Sequence, residues 1–280
     1  MPLSPELRDE ILGCLRRSGY LLESRVVSSL ADAGFFVEPN AAVMDSRSGK
    51  SREIDVLAEY YEYDPDHPKI SVKSHFAIEA INNYLPLVLM TPYPGPPNIE
   101  VNDLRYVTVP DPNAFEEEID LYEEKAVFEI VRYSQYCALT RKKSGDELMA
   151  SHPDDLYASL LKLAEFTEQQ VREVENREWH ADDDYWRLWF WQGVLVVGGD
   201  LVTAVPDAAG ELSIQEIDRA SLIFSFHVAE QPTNLVIEIV RERALLPYLQ
   251  RAVAADHRLT VRLHGIRSAL ASAALSKETL

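Results

Sequence analysis

The sequence predicts an α/β fold, a mixed β-sheet flanked by helices, with an additional C-terminal portion that mixes helices and strands. Three observations lead there. Two amphipathic helical stretches open the chain, apolar stretches with two-residue alternation follow, and the second half starts on a long helix before returning to strands. The 280 residues exceed the usual single-domain size of about 100–150, yet α/β domains of this length often stay single. The chain is therefore divided into a core over residues 1–150 and a C-terminal portion over 151–280, the latter either separate or part of the same domain.

Ser4-Pro5 supplies an N-cap and a first-turn proline, and Leu7, Ile11, Leu12 and Leu15 recur at helical spacing up to Gly19. A second helix is expected from Tyr20 to Ala33, with Val26, Val27, Leu30 and Ala33 as its stripe, Glu23 at the stripe's edge and Gly34 as terminator. Phe35–Val43 and Glu53–Tyr61 alternate as strands around an Asp45–Lys50 turn, which predicts a hairpin. After an acidic loop at Tyr63–Pro68, Ile70–Ile81 reads as a long strand, and Leu85–Met90 as a shorter apolar one before a proline-rich TPYPGPPN segment.

Asn113–Thr140 has helical character, and Leu156–Val174 is a stronger helix with Leu160, Leu161, Leu163, Ala164 and Val171 on its apolar face. Trp189–Val197, Leu201–Val205, Ser221–Val228 and Leu235–Val240 follow as strands, and Arg241–Ala255 as a helix. A short strand at Leu259–Leu263 and an alanine-rich helix complete the expectation.

With 46% hydrophobic and 26% charged residues, the chain has enough apolar surface to fold. Its N-terminus lacks the apolar core of a signal peptide and no later run is long enough to span a bilayer, so a cytoplasmic protein without a membrane partner is expected. Cys14 and Cys137 are too few for a disulfide framework or a zinc site. A formal charge of −19 opposes non-specific binding of polyanions, an objection that any nucleic-acid reading must meet.

Three acids stand out by context: Glu23 on the second helix, Asp55 in SREIDVLAEY and Glu79 in FAIEAINN. Alternation sets Asp55 opposite in facing to Ile54, Val56 and Ala58, and sets Glu79 opposite to Phe76, Ile78 and Ala80. If the two strands pair, the carboxylates converge, and clustered oxygen ligands suit a hard divalent cation that activates water and offsets phosphate charge.

In Glu23, Arg52-Glu53-Ile54-Asp55-Val56-Leu57-Ala58 and Ile78-Glu79-Ala80-Ile81-Asn82-Asn83 the chain resembles the PD-(D/E)xK, or restriction-endonuclease-like, nuclease superfamily. The resemblance runs from about residue 17 to 90 and implies a restriction-endonuclease-like core within residues 1–150. It further implies Mg2+ or Mn2+ held by Glu23, Asp55 and Glu79, and DNA as substrate. It also places Gln135, on a following helix, in the site.

One position departs from the pattern. Two residues after Glu79, where the family carries its lysine, stands Ile81, which can neither donate a proton nor stabilise a phosphorane. Lysines migrate within this superfamily, so Lys50, Arg52, Lys73 and the Arg141-Lys142-Lys143 run are candidates, although Lys73 lies about 20 Å along the strand from Glu79, too far to act in place of residue 81. Two functions follow. One is a catalytically lapsed nuclease fold kept as a binding or regulatory component, with a protein partner in a bacterial defence or DNA-processing assembly. The other is an active Mg2+-dependent endonuclease using Glu23, Asp55 and Glu79 with a migrated cation. Ile81 and the −19 charge tilt the sequence toward the first.

Three lesser signals are read as structural. Asp64-Pro65-Asp66-His67 and His180-Ala181-Asp182-Asp183-Asp184 read as polar loops, and Tyr185, Trp186, Trp189, Phe190 and Trp191 as packing.

Overall fold

The computed structural model describes residues 3–44, 49–62, 69–93, 105–109, 121, 131–142, 145, 147–177, 186–207, 209–228 and 231–278. Within them a mixed sheet of 12 strands is flanked by four helices. The expected turn at Asp45–Lys50, the loop at Tyr63–Pro68, Tyr185, the His180–Asp184 stretch and much of the expected Asn113–Thr140 helix lie wholly or partly outside the described residues.

Helix α1 (Pro5–Arg17) starts where Ser4 caps it, its side chain accepting from Leu7 N–H at 3.2 Å. Helix α2 (Tyr20–Asp32) buries Leu22, Val26 and Leu30, and Gly34, at φ 88°, supplies the left-handed residue that ends it. Strands β1 (Phe36–Met44) and β2 (Ser51–Glu62) form the expected antiparallel hairpin, and β2 pairs antiparallel with β3 (Ile70–Ile81). Next along the chain come β4 (Leu87–Pro92), β5 (Arg105–Val109), β6 (Arg132–Arg141) and β7 (Leu148–Ser151). Helix α3 (Asp154–Glu175), strands β8 (Trp186–Val197), β9 (Leu201–Pro206), β10 (Leu212–Glu216), β11 (Arg219–Val228) and β12 (Gln231–Arg241), and helix α4 (Glu242–Glu278) complete the fold.

The sheet order is β1-β2-β3-β8-β12-β11-β6-β4-β9-β10, with β5 on β8 and β7 on β6. β3 runs parallel to β8 from Ile70↔Trp186 to Ile81↔Val197, which joins the N-terminal hairpin to strands more than a hundred residues away. One face of β3 and β8 lies under α2 and α4, where Phe76, Ile78, Val194 and Val196 pack with Leu22, Val26, Leu245 and Leu249. The other lies under α3, where Ala77, Leu195 and Val197 meet Leu160, Leu163 and Ala164. Gly193 lets α3 settle close to the sheet, because a Cβ there would stand 3.3 Å from Leu163 Cβ. Trp186, Phe190 and Trp191 are buried in these layers, in keeping with a packing role.

Two expected helix and strand assignments are corrected. The end of the expected Asn113–Thr140 helix, from Arg132 on, is instead part of β6, held between β4 and β11, so Gln135 sits on a strand opposite Met90. Its local helical pattern yields to ladder bonds on both sides, the usual way tertiary pairing overrides propensity. Leu259–Leu263, expected as strand, continues α4. One turn apart, Leu259 and Leu263 both enter the core beside Ile70, Val72 and Leu188, so helical spacing serves burial there better than alternation.

Candidate functional site

The site forms where β2 and β3 part company. Their paired positions end at Val56↔Ile78, one step before Asp55 and Glu79. From there side chains replace the backbone ladder: Asp55 N–H donates to Glu79 Oε1 at 3.3 Å, and Ala80 N–H donates to Asp55 Oδ2 at 2.8 Å. The two carboxylates are thus brought together at adjoining positions, as the strand pairing predicts. The facing of one neighbour is corrected. Ile54 packs with the α3 core while Val56 and Ala58 pack with the α2 core, so β2 twists at Asp55 and simple alternation fails there.

Between these acids lies a cation that the motif alone does not reveal. Lys162 of α3 places Nζ 2.6 Å from Glu79 Oε1, 4.0 Å from Asp55 Oδ1 and 2.6 Å from the carbonyl oxygen of Glu53, to which it donates. Leu160, Leu163 and Ala164 dock its helix against β3 and β8. Lys162 interrupts an apolar run in the sequence, Leu160-Leu161-Lys162-Leu163-Ala164, but at about 3.6 residues per turn it stands about 200° round the helix from Leu160, off the buried stripe, so periodicity gives no signal that it has a buried partner.

Glu23 approaches from the first turn of α2. Both its Oε1 and the carbonyl oxygen of Ala80 lie within 4 Å of the point a Gly19 Cβ would occupy, at 3.1 and 3.6 Å, so Gly19 leaves room for the carboxylate to turn toward β3. Asn82 ties the strand to this corner by donating to the carbonyls of Arg16 and Ser18 at 2.8 and 3.3 Å. Asn83 fastens the other side, accepting from Gly199 N–H at 2.9 Å and donating to the Leu85 and Asp200 carbonyls, each at 3.0 Å.

Lys162 pairs with Glu79 and lies 4.0 Å from Asp55, while Glu23 feels the charges of both Asp55 and Lys162, and the titration of the three acids reflects this crowding. Burial first, then the charge of Asp55, push Glu79 up to about 7 despite Lys162. Burial followed by Asp55 also raises Glu23, while Asp55 is raised by burial against the opposing pull of the Ala80 N–H and Lys162. A site whose acids all resist ionising would gain from an added cation, and its oxygens are the paired carboxylates of Asp55 and Glu79, with Glu23 and the Ala80 carbonyl at the Gly19 side. That chemistry fits a hard divalent ion. Among the described residues no three His, Cys, Asp or Glu side chains stand close enough to hold a metal by themselves. Backbone and water oxygens would therefore complete any such shell.

Several other expected participants stand elsewhere. Lys73 pairs with Glu59 at 2.6 Å, beside His75, and Lys142 with Glu147 at 2.6 Å. Lys143 lies outside the described residues. Ile81 is half-buried against the α3 core. Gln135 accepts from Thr91 Oγ1 at 2.6 Å on β6, four strands removed from β3, and does not join Asp55 and Glu79. Among the described residues no helix is long and apolar enough to cross a membrane. No family model matches the chain, and no curated protein or solved structure matches it.

Proposed function

We propose that the chain is a divalent-metal-dependent DNA phosphodiesterase of the restriction-endonuclease-like kind, in which Lys162 on α3 supplies the cation that position 81 lacks. The observation that carries this reading is the ammonium of Lys162 set between Glu79 Oε1 and Asp55 Oδ1. Asp55, Glu79 and the Ala80 carbonyl would hold Mg2+ or Mn2+, with Glu23 at the rim. When bound, such an ion supplies Lewis acidity and neutralises phosphate charge.

Lys162 has three N–H donors, and Glu79 and the Glu53 carbonyl engage two of them. The third can orient an attacking water or meet a non-bridging phosphate oxygen as negative charge grows there. Glu79 keeps Lys162 aimed at the site, and α3 keeps it rigid. DNA as the substrate follows from the motif resemblance rather than from the geometry.

Purified protein with Mg2+ or Mn2+ is expected to cut supercoiled, linear or single-stranded DNA, and Asp55→Ala to abolish the cutting. Wild type and Asp55→Ala equally inert on all three substrates would overturn the reading. The charge of −19 favours a second reading, a lapsed nuclease fold kept as a binding or regulatory subunit, and that inert outcome would support it.

A further inference from the structure

Asp55 sits where both neighbouring ladders are disturbed. On the β1 side the register runs from Val37↔Ala58 through Pro39↔Val56 to Ala41↔Ile54, and the position facing Asp55 is Asn40. Asn40 has φ 50°, in the left-handed region that asparagine enters more readily than other residues bearing a Cβ. Pro39 before it has no N–H to give the ladder. β1 therefore kinks directly opposite Asp55.

In a regularly pleated strand, residues two apart share a face and the side chain between them stands off the sheet, out of reach of the next strand's backbone. Asp55 does the reverse. Ile54 and Val56 enter different cores, and the Asp55 carboxylate lies toward β3, where Oδ2 accepts the Ala80 N–H at 2.8 Å. A strand that is locally kinked and more strongly twisted can aim a side chain in this way.

We propose that Asn40 is a positioning residue for Asp55: its left-handed backbone kinks β1 so that β2 twists at Asp55 and delivers the carboxylate to the Ala80 N–H beside Glu79 and Lys162. The catalytic consequence rests on the phosphodiesterase reading above, but the geometry can be tested without it.

Amide hydrogen exchange in the full-length chain reads the Asp55–Ala80 bond directly. Asn40→Val, whose branched side chain opposes a positive φ, is expected to speed exchange at Ala80 by about tenfold while Ala77, paired to β8, stays protected. Asn40→Gly, free to keep the conformation, is expected to leave Ala80 as in wild type. Asn40→Ala, a milder block, keeps the test open if the valine variant does not fold, and should give the same direction of change. Unchanged Ala80 protection in both Asn40→Val and Asn40→Ala would overturn the inference, as would an Asn40→Gly chain as perturbed as Asn40→Val. DNA cleavage should fall in the variants that release Ala80. A wild type that cuts no DNA would defeat the phosphodiesterase reading alone and leave the Ala80 result to decide this one.

Discussion

At the scale of single residues, Lys162 pairs with Glu79 beside Asp55, with Glu23 within reach of the Asp55 and Lys162 charges, and that crowding has consequences for pH. Glu79, ordinarily near 4.5, is pushed up to about 7 by burial and Asp55, so the folded chain binds more protons there than the unfolded one. Its stabilising contribution is complete below pH 4.5 and is lost as pH rises toward 7. His75, which burial and Lys73 lower to about 4, acts in the opposite sense, and its contribution is lost as pH falls from 6.5 toward 4. The difference in unfolding free energy between wild type and Glu79→Gln, without metal, cancels His75 and should decline across the Glu79 window. A flat difference would show that Glu79 titrates normally. Lys162→Met leaves Glu79 buried without its partner, which costs about 3–5 kcal/mol when the acid is charged. Chemical denaturation should show that cost at pH 8 and a smaller one at pH 5, where the proton substitutes for the ammonium.

At the scale of elements, the site depends on α3 lying close to β3 and on the end of β3 being clamped. Leu160→Ala would remove a fully buried side chain from the α3 contact and should cost about 2–5 kcal/mol by urea unfolding. A Cβ at residue 199 would fall 2.1 Å from the carbonyl oxygen of Asn83, so Gly199→Ala must shift the turn that anchors β3, at about 1–3 kcal/mol. Either variant denaturing like wild type would contradict this packing. Much at this scale is legible in the sequence: β3 spans the expected Ile70–Ile81, α1 starts at its Ser4 cap, α2 stops at Gly34, and α3 forms where its apolar periodicity places it. Periodicity misreads residues 132–140 and Leu259–Leu263 because distant partners decide their conformation. It also misses β5, β7 and β10, the last of which exposes all its residues and so carries no burial pattern. In the site, Asp55 and Glu79 are legible because adjoining strands express their relation locally. Lys162 is not, since only the α3 packing brings it across more than a hundred residues of sequence to β2.

At the scale of the whole molecule, strands from both halves of the chain alternate in one sheet, and the −19 charge surrounds a site that must admit a phosphodiester. Long-range repulsion extends about 30 Å at 10 mM salt and about 10 Å at 100 mM. Cleavage at a fixed metal concentration should therefore quicken between those conditions, and a steep decline would instead mark a locally basic DNA channel. In the proposed reaction Lys162 acts where Ile81 cannot. The most direct measurement is the rate of DNA cleavage by wild type, Lys162→Met, and Lys162→Met combined with Ile81→Lys. Lys162→Met is expected to lose about 100-fold or more in rate, and restoring a lysine at position 81 to recover part of it. Cleavage by Lys162→Met at the wild-type rate would contradict the central claim.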